Sequence, residues 1–218
     1  MKRITLITSA LFIIMFAACS KTSSTSNNSN SSTSLFPLKA GNYWKYQDSS
    51  FTASGSLQAS ASDSTFINKN TTSVNGVTFY GITDSIGWFG TGGYVTVDPS
   101  NTYLYGMDSL NASDYLFFAL ASSDGYLIGS NSDFTNPACI GTDALYGFAS
   151  NYKVNGYTCY RSYGMYKDCN NNILNAYVYY VCPGVGIVRI EDYLANPNVA
   201  TNTLYMDYSQ TLQSYKLN

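Results

Sequence analysis

The sequence has no histidine and few charged residues, and these two absences exclude several classes of function. None of the 218 residues is histidine, and only 11% are charged. Serine and cysteine nucleophile systems need an imidazole base, and catalytic zinc sites normally use one to three imidazoles. The sequence therefore excludes those enzyme classes, and we expect neither a metal site nor a cofactor.

Positive charge is also scarce. The 11 Lys and Arg residues stand against 13 Asp and Glu residues, so the net charge is −2 at pH 7. Nucleic-acid binding requires a basic patch that neutralises phosphates, and we expect no nucleic-acid partner. Glycosidase chemistry needs only two carboxylates. A carboxylate-based glycan hydrolase therefore stays open, although no spacing among the acids marks a pair.

Residues 1–18 have the organisation of a secretory signal peptide. Lys2 and Arg3 precede an apolar stretch from Ile4 to Phe16, and two alanines stand directly before Cys19. Small residues followed by cysteine are the pattern that the bacterial lipoprotein signal peptidase reads before the cysteine is acylated. A transmembrane helix is the alternative, but the stretch is shorter than the roughly 20 residues that cross a bilayer. The sequence predicts lipidation at Cys19.

A polar segment follows the lipidation site. Residues 20–34 are Ser, Thr and Asn with a single Lys, and none has an apolar side chain. Such a segment cannot bury surface, so residues 19–34 are predicted to be a lipidated cysteine with a flexible tether. No aspartate follows Cys19, which favours the outer membrane. We expect an extracytoplasmic protein, on the periplasmic or surface face, whose membrane partner is reached through the N-terminal lipid.

Residues 35–218 predict a single β-rich domain. Short aromatic and β-branched runs, helped by 21 tyrosines, alternate with Gly, Asn, Asp and Ser about every ten residues. Hairpin turns are predicted at Asn75-Gly76, Asp124-Gly125 and Asn155-Gly156. The predicted fold is all-β, a mostly antiparallel sheet shaped as a curved half-barrel or sandwich, with at most one or two short helices. Ser109–Leu120 is the best helix candidate.

Two of the predicted hairpins have similar sequences. Residues 74–80 and 154–160 read VNGVTFY and VNGYTCY, and they agree at five of seven positions. With only two copies, shared turn chemistry is the favoured explanation of this likeness, and an internal duplication is the alternative. Both interpretations stay open on the sequence alone.

Two blocks resemble a group of uncharacterised Bacteroidota-type lipoproteins. The blocks are FPLKAGNYWKY at residues 36–46 and YVCPGVGIVR at residues 180–189, and LQSY at residues 212–215 fits the usual ending of the group. The resemblance implies a mostly antiparallel β domain and no assigned activity. This chain departs from the pattern in placing Cys182 before Pro183. Physically, the first block supplies Trp44 as a core anchor, and Pro183-Gly184 is a turn between two strands.

Four cysteines remain besides Cys19. An even number in an exported protein permits two disulfides, and buried free thiols are the alternative. We favour a disulfide between Cys159 and Cys182, because their two strands would bring the Cβ atoms together if they pair as neighbours. This choice leaves Cys139 to pair with Cys169.

Two segments are candidates for a ligand site. Gly87–Tyr94 is a glycine-rich loop whose Trp88, Phe89 and Tyr94 side chains either stack on a ligand or pack into the core. Asp168–Asn172 has oxygen side chains at alternate positions, as calcium loops do. It lacks the glycine and the bidentate glutamate of such loops, so a polar hairpin tip is the favoured interpretation.

The sequence thus predicts a lipid-anchored envelope protein that is not an enzyme. We expect a binding or envelope-associated module for a lipid, glycan or protein ligand. The alternatives are the carboxylate-based glycan hydrolase and a structural surface lipoprotein without a small-molecule site. Two carboxylates about 5 to 9.5 Å apart in a cleft favour the hydrolase, whereas an aromatic surface favours binding.

Overall fold

A computed structural model describes residues 34–83, 93–107, 115–120, 123–133, 141–198 and 203–218. Every regular element in these ranges is a β-strand, which confirms the all-β prediction. The strands are β1 (Tyr43–Phe51), β2 (Leu57–Val74), β3 (Val77–Thr83), β4 (Tyr94–Val97), β5 (Tyr103–Met107), β6 (Tyr115–Ala119), β7 (Tyr126–Asp133), β8 (Gly141–Val154), β9 (Tyr157–Lys167), β10 (Ile173–Cys182), β11 (Gly186–Ala195) and β12 (Leu204–Lys216). None of the described segments contains a helix able to cross a membrane.

The strands form one antiparallel sheet built from two six-stranded meanders. In each meander every strand pairs with the next along the chain, and β1 pairs with β12 to join the two. The sheet order is β6-β5-β4-β3-β2-β1-β12-β11-β10-β9-β8-β7. The sheet curls until β6 at one end contacts β8 and β9 near the other. The result is a nearly closed barrel.

The two similar hairpins occupy equivalent places in the two meanders. Asn75-Gly76 joins the second and third strands of the first meander, and Asn155-Gly156 joins the second and third strands of the second. All four residues have positive φ, between 49° and 84°, as the predicted two-residue turns require. The register of both hairpins shifts a few residues before the turn. This equivalence favours the internal duplication.

Two local predictions are wrong. Tyr115–Ala119, inside the candidate helix Ser109–Leu120, is strand β6, and residues 109–114 lie outside the described residues. Pairing with β5 makes this segment a strand, since a short segment rich in Tyr, Leu and Phe can form either a helix or a strand. Asp124-Gly125 makes a turn but not a hairpin turn, because β6 and β7 are at opposite ends of the sheet order.

The core is built around the buried face of β1. Trp44 and Tyr46 are fully buried, which places Trp44 in the core as predicted. The ring of Phe36 stacks on Trp44 with 5.0 Å between centroids. Gly186 is required there, since a Cβ atom at this position would lie 2.4 Å from the Phe36 ring. The surrounding core residues include Ile67, Ile82, Val95, Leu104, Phe118, Val181, Ile187 and Leu212.

Candidate functional site

A row of side chains crosses three neighbouring strands and brings two arginines together. Tyr180 on β10 pairs with Arg161 on β9 and with Arg189 on β11. Residues directly paired across antiparallel strands share a face of the sheet. These are the only arginines in the sequence after Arg3. The topology thus collects both arginines of the domain around one tyrosine.

The guanidinium of Arg161 packs between two aromatic rings. Its Cζ atom lies 4.0 Å from the ring centroid of Phe148 and 4.2 Å from that of Tyr152. The register of β8 against β9 shifts between these two positions, and both rings thereby reach one guanidinium. The Nε atom of Arg161 is buried and has no hydrogen-bond partner among the described residues. Cation–π contact therefore stabilises a charge whose donors are incompletely used.

Arg189, by contrast, is fixed by a carboxylate. Its Nε lies 2.7 Å from Oε1 of Glu191. The other carboxylate oxygen accepts hydrogen bonds from the hydroxyls of Tyr180, at 3.1 Å, and Tyr193, at 2.9 Å. Burial raises the pKa of Tyr180, and the neighbouring Glu191 raises it further. Glu191 thus forms an ion pair with Arg189 and accepts hydrogen bonds from two tyrosine hydroxyls.

A polar pocket of about 300 Å³ opens beside this row. Its walls are Tyr152, Lys153, Val154, Asn155, Tyr180, Arg189 and Glu191. Nζ of Lys153 donates a 2.5 Å hydrogen bond to the hydroxyl of Thr158 across the β8–β9 hairpin. Two cations, Lys153 and Arg189, line the pocket together with the single carboxylate of Glu191. The pocket wall therefore carries one more positive than negative charge.

A second polar region continues the core beyond Tyr46. Asp48 is 5% exposed, and Asp63 on β2 is 4% exposed. Burial raises the pKa of Asp48; the side chains of Gln210 and Tyr208 oppose this shift, and the charge of Asp63 adds to it. Asp48 and Tyr208 also line an open pocket of about 200 Å³ between β1, β2 and β12. Two buried carboxylates therefore lie close to one another.

The same polar region extends to β10 and β11. Asp192 pairs with Tyr208 on one side and with Tyr177 on the other. Burial, together with the charge of Asp207, raises the pKa of Asp192 to about 6. Burial and two neighbouring aspartates raise the pKa of Tyr177 to about 12. Among the described residues, no group of three or more acids or cysteines is arranged to hold a metal ion.

The structure tests the predicted aromatic site only in part. Trp88 and Phe89 lie outside the described residues. Tyr94 begins β4, is half-buried and pairs with Gly81 and Met107. Stacking of these aromatic residues on a ligand stays a prediction. Cys19 also lies outside the described residues, and its lipidation stays a prediction as well.

The loop Asp168–Asn172 is the tip of the β9–β10 hairpin, as the favoured interpretation has it. Oδ1 of Asp168 accepts hydrogen bonds from the backbone N–H groups of Asn170 and Asn172. The side-chain amide of Asn172 donates a 3.0 Å hydrogen bond to Oδ2 and is the main cause of a lowered pKa of the Asp168 carboxyl, which the backbone bonds lower further. The carboxylate therefore folds back on its own loop, as aspartate does in tight turns.

The predicted disulfide between Cys159 and Cys182 is wrong. Their strands do pair as neighbours. Tyr160 pairs with Val181, and Cys159 and Cys182 are the residues directly next to this pair on the two strands. Both cysteines are nevertheless free thiols, and Sγ of Cys182 points to the carbonyl of its neighbour Pro183, 3.8 Å away. Cys169 is disulfide-bonded. The predicted partner Cys139 lies outside the described residues, so that pairing stays a prediction.

Sequence reasoning missed the arginine pocket. Arg161 and Arg189 are 28 positions apart, and only the β9–β10–β11 register brings them together. One signal was present, because a chain with only three arginines keeps two of them inside strand-like, tyrosine-rich segments. A charged residue in such a segment must face either solvent or a polar site.

No family model and no curated protein matches the sequence. Among solved structures, the chain is similar to a candidate lipoprotein from Parabacteroides distasonis ATCC 8503, at 15% identity and a TM-score of 0.46, over 86% of this chain and all of that one. It is also similar to a candidate exported protein with a YmcC-like fold from Bacteroides fragilis NCTC 9343, at 13% identity and a TM-score of 0.40. This match covers 84% of this chain and 98% of that one. At this level of likeness no residue role is transferred.

Proposed function

We propose that the protein is a lipid-anchored envelope protein that binds a glycan in the pocket beside Tyr152 and Tyr180. The observation that carries the proposal is the pocket itself, in which aromatic rings and hydrogen-bond donors converge. A sugar ring presents apolar C–H groups on its faces and hydroxyls on its rim. The aromatic walls of the pocket contact the C–H groups, and Lys153, Asn155 and Arg189 bind the hydroxyls.

Among the ligand classes open to an envelope protein, the pocket favours a glycan over a lipid chain. An acyl chain needs an apolar cavity, whereas these walls are mainly polar and carry charges. Its volume of about 300 Å³ is at the lower end for small-molecule sites. Tyrosine and arginine are also residues that favour binding sites, because both combine flat apolar faces with polar groups.

The anchor in this proposal comes from the sequence. Residues 1–18 supply the signal peptide, and Cys19 supplies the acylation site. Multiple acyl chains hold a protein at a bilayer without a spanning helix. The polar tether up to residue 34 then lets the domain reach glycans beyond the head groups. The proposal is binding without catalysis, consistent with a chain that has no histidine.

Binding is tested on an array of bacterial envelope polysaccharides with the full chain purified in detergent. We expect the wild type to bind one class of glycan and Tyr152→Ala to bind it at least tenfold more weakly. Tyr126→Ala is the matched control, since Tyr126 on β7 is 53% exposed and does not line the pocket. Thermal melts establish that both variants fold. Wild-type binding that Tyr152→Ala leaves unchanged would refute the proposed site.

A carboxylate-based glycan hydrolase is the second candidate, favoured by Asp48 and Asp63. Asp48 pairs with Ala61, and Asp63 pairs with Tyr46, so the two acids are diagonal neighbours on adjacent strands. Diagonal positions on neighbouring strands are about 7 to 8 Å apart, and the carboxyl groups of glycosidase pairs are about 5 to 9.5 Å apart. Release of reducing ends from the bound glycan, lost in Asp63→Asn, would support hydrolysis. Intact glycan after prolonged incubation would eliminate it.

A further inference from the structure

We infer that the proposed glycan pocket is one end of a longer cleft along β8 and β9, which binds a glycan chain of several sugar units. This inference rests on the proposed glycan site and adds the class of its ligand, an extended chain in place of a single sugar. A second pocket, of about 160 Å³, lies further along the same two strands. Its lining residues are Thr142, Ala144, Tyr146, Met165, Lys167, Asp168 and Asn171.

Both pockets are on the same face of the sheet. Tyr180, which lines the first pocket, pairs with Arg161 on β9 and shares its face. Residues at alternate positions of a strand also share a face, so Tyr163, Met165 and Lys167 follow Arg161 there. Met165 and Lys167 line the second pocket. The stretch of β9 from Arg161 to Lys167 spans about 20 Å.

Aromatic side chains lie between the two pockets. Tyr146 on β8 pairs with Tyr163, and the centroids of their rings are 6.5 Å apart. Phe148 is two positions from Tyr146 on the same face, where its ring contacts the guanidinium of Arg161. The three aromatic residues are half-buried, so each keeps an exposed part. Flat aromatic surfaces can contact the C–H faces of sugar rings, as in the first pocket.

The second pocket has the same kind of chemistry as the first. Tyr146 supplies an aromatic wall, while Thr142 and Asn171 offer an exposed hydroxyl and an exposed amide. Lys167 and Asp168 contribute one charge of each sign. An acyl chain would desolvate polar groups at both ends of the cleft without replacing their hydrogen bonds, whereas a glycan has hydroxyls along its whole length. The cleft therefore favours a glycan chain that reaches both pockets.

The test uses fragments of the glycan that the array identifies, cut to two, four and six sugar units. Binding to the full chain is measured by calorimetry. We expect the wild type to bind the six-unit fragment at least about tenfold more tightly than the two-unit fragment, because the longer fragment gains aromatic contacts. Tyr146→Ala should lose most of this gain and should bind the two-unit fragment as the wild type does.

Tyr126→Ala is the control and should keep the preference for the longer fragment, because Tyr126 is 53% exposed and lines neither pocket. Tyr146→Phe retains the ring and should also keep most of the preference, which separates a lost contact from a folding defect. Equal binding of all fragment lengths by the wild type would overturn the extended cleft and leave the glycan pocket standing. A length preference that Tyr146→Ala retains in full would also overturn the cleft. Binding of none of the fragments would overturn both proposals.

Discussion

The indole Nε1 of Trp44 donates a 2.6 Å hydrogen bond to the backbone carbonyl of Val185, 141 positions further along the chain. The hydroxyl of Tyr46 makes a 2.9 Å bond of the same kind to the carbonyl of Ile187. The two sequence blocks that resemble envelope lipoproteins are therefore bonded to each other, at the place where β1 and β12 join the two meanders. Their shared role in the structure is to close the core.

This contact predicts that Trp44→Ala destabilises the protein by about 3 to 5 kcal/mol, because it removes a large buried ring and its hydrogen bond. Trp44→Phe keeps a ring and loses the bond to Val185, so a smaller loss of about 1 to 3 kcal/mol is expected. Urea unfolding of both variants measures the difference. Unfolding free energies within about 0.5 kcal/mol of the wild type would show that this core contact contributes little.

Cys19→Ala should release the protein from the membrane. Removal of Lys2 and Arg3 with the signal peptide changes the net charge from −2 to −4, so the mature chain has no net attraction to anionic lipid. The acyl chains are then the anchor. Fractionation after a salt wash measures the effect, with Cys182→Ala as the control that stays in the membrane fraction. Retention of a Cys19→Ala protein that has lost residues 1–18 would contradict lipid anchoring.

The number of free thiols in the protein is a testable prediction. Denatured, unreduced protein should contain two alkylatable thiols, Cys159 and Cys182. In the folded protein Cys159 should react slowly at pH 8, since burial and the neighbouring Cys182 raise its pKa to about 12. Peptide mapping after iodoacetamide treatment measures both. Absence of alkylation at both positions in the denatured protein would mean that the pair is oxidised.

Asp192 predicts a specific pH dependence of stability. Its pKa is raised from 3.8 to about 6 in the folded state, by burial and by Asp207. Between these values the folded protein binds more protons than the unfolded chain, so the contribution of Asp192 falls as pH rises, by up to about 3 kcal/mol. The stability advantage of Asp192→Asn over the wild type should therefore grow from pH 4 to pH 8, and unfolding curves of both proteins at the two pH values measure it. The same difference in unfolding free energy at pH 4 and at pH 8 would contradict this.

Much of the fold could be predicted because the signals are local. Asn155-Gly156 and Pro183-Gly184 supply backbone conformations that few other residues adopt, and the structure has turns at both. Trp44 was predictable as a core residue from its size and its place at the start of a strand. The outcome at Tyr115–Ala119 depended on pairing with β5, which no local pattern reveals.

The candidate site was much less accessible to sequence reasoning. Arg161 and Arg189 lie on either side of Tyr180, which pairs with both, and a register error of one residue would place them on opposite faces. The thiols illustrate the same limit. Sequence reasoning correctly placed Cys159 and Cys182 on neighbouring strands, but the Cys182 side chain turns to the carbonyl of Pro183, which no local pattern reveals.

The most direct test of the glycan site uses the scarcity of arginine. A chain labelled with ¹⁵N-arginine gives Nε–Hε signals from Arg3, Arg161 and Arg189 in the precursor, and from the last two alone after signal-peptide removal. Addition of the glycan that the array identifies to the mature chain should shift the Arg189 signal more than the Arg161 signal, because Arg189 lines the pocket and Arg161 is not among its lining residues. Binding seen by calorimetry with both signals unmoved would place the ligand elsewhere and contradict the account.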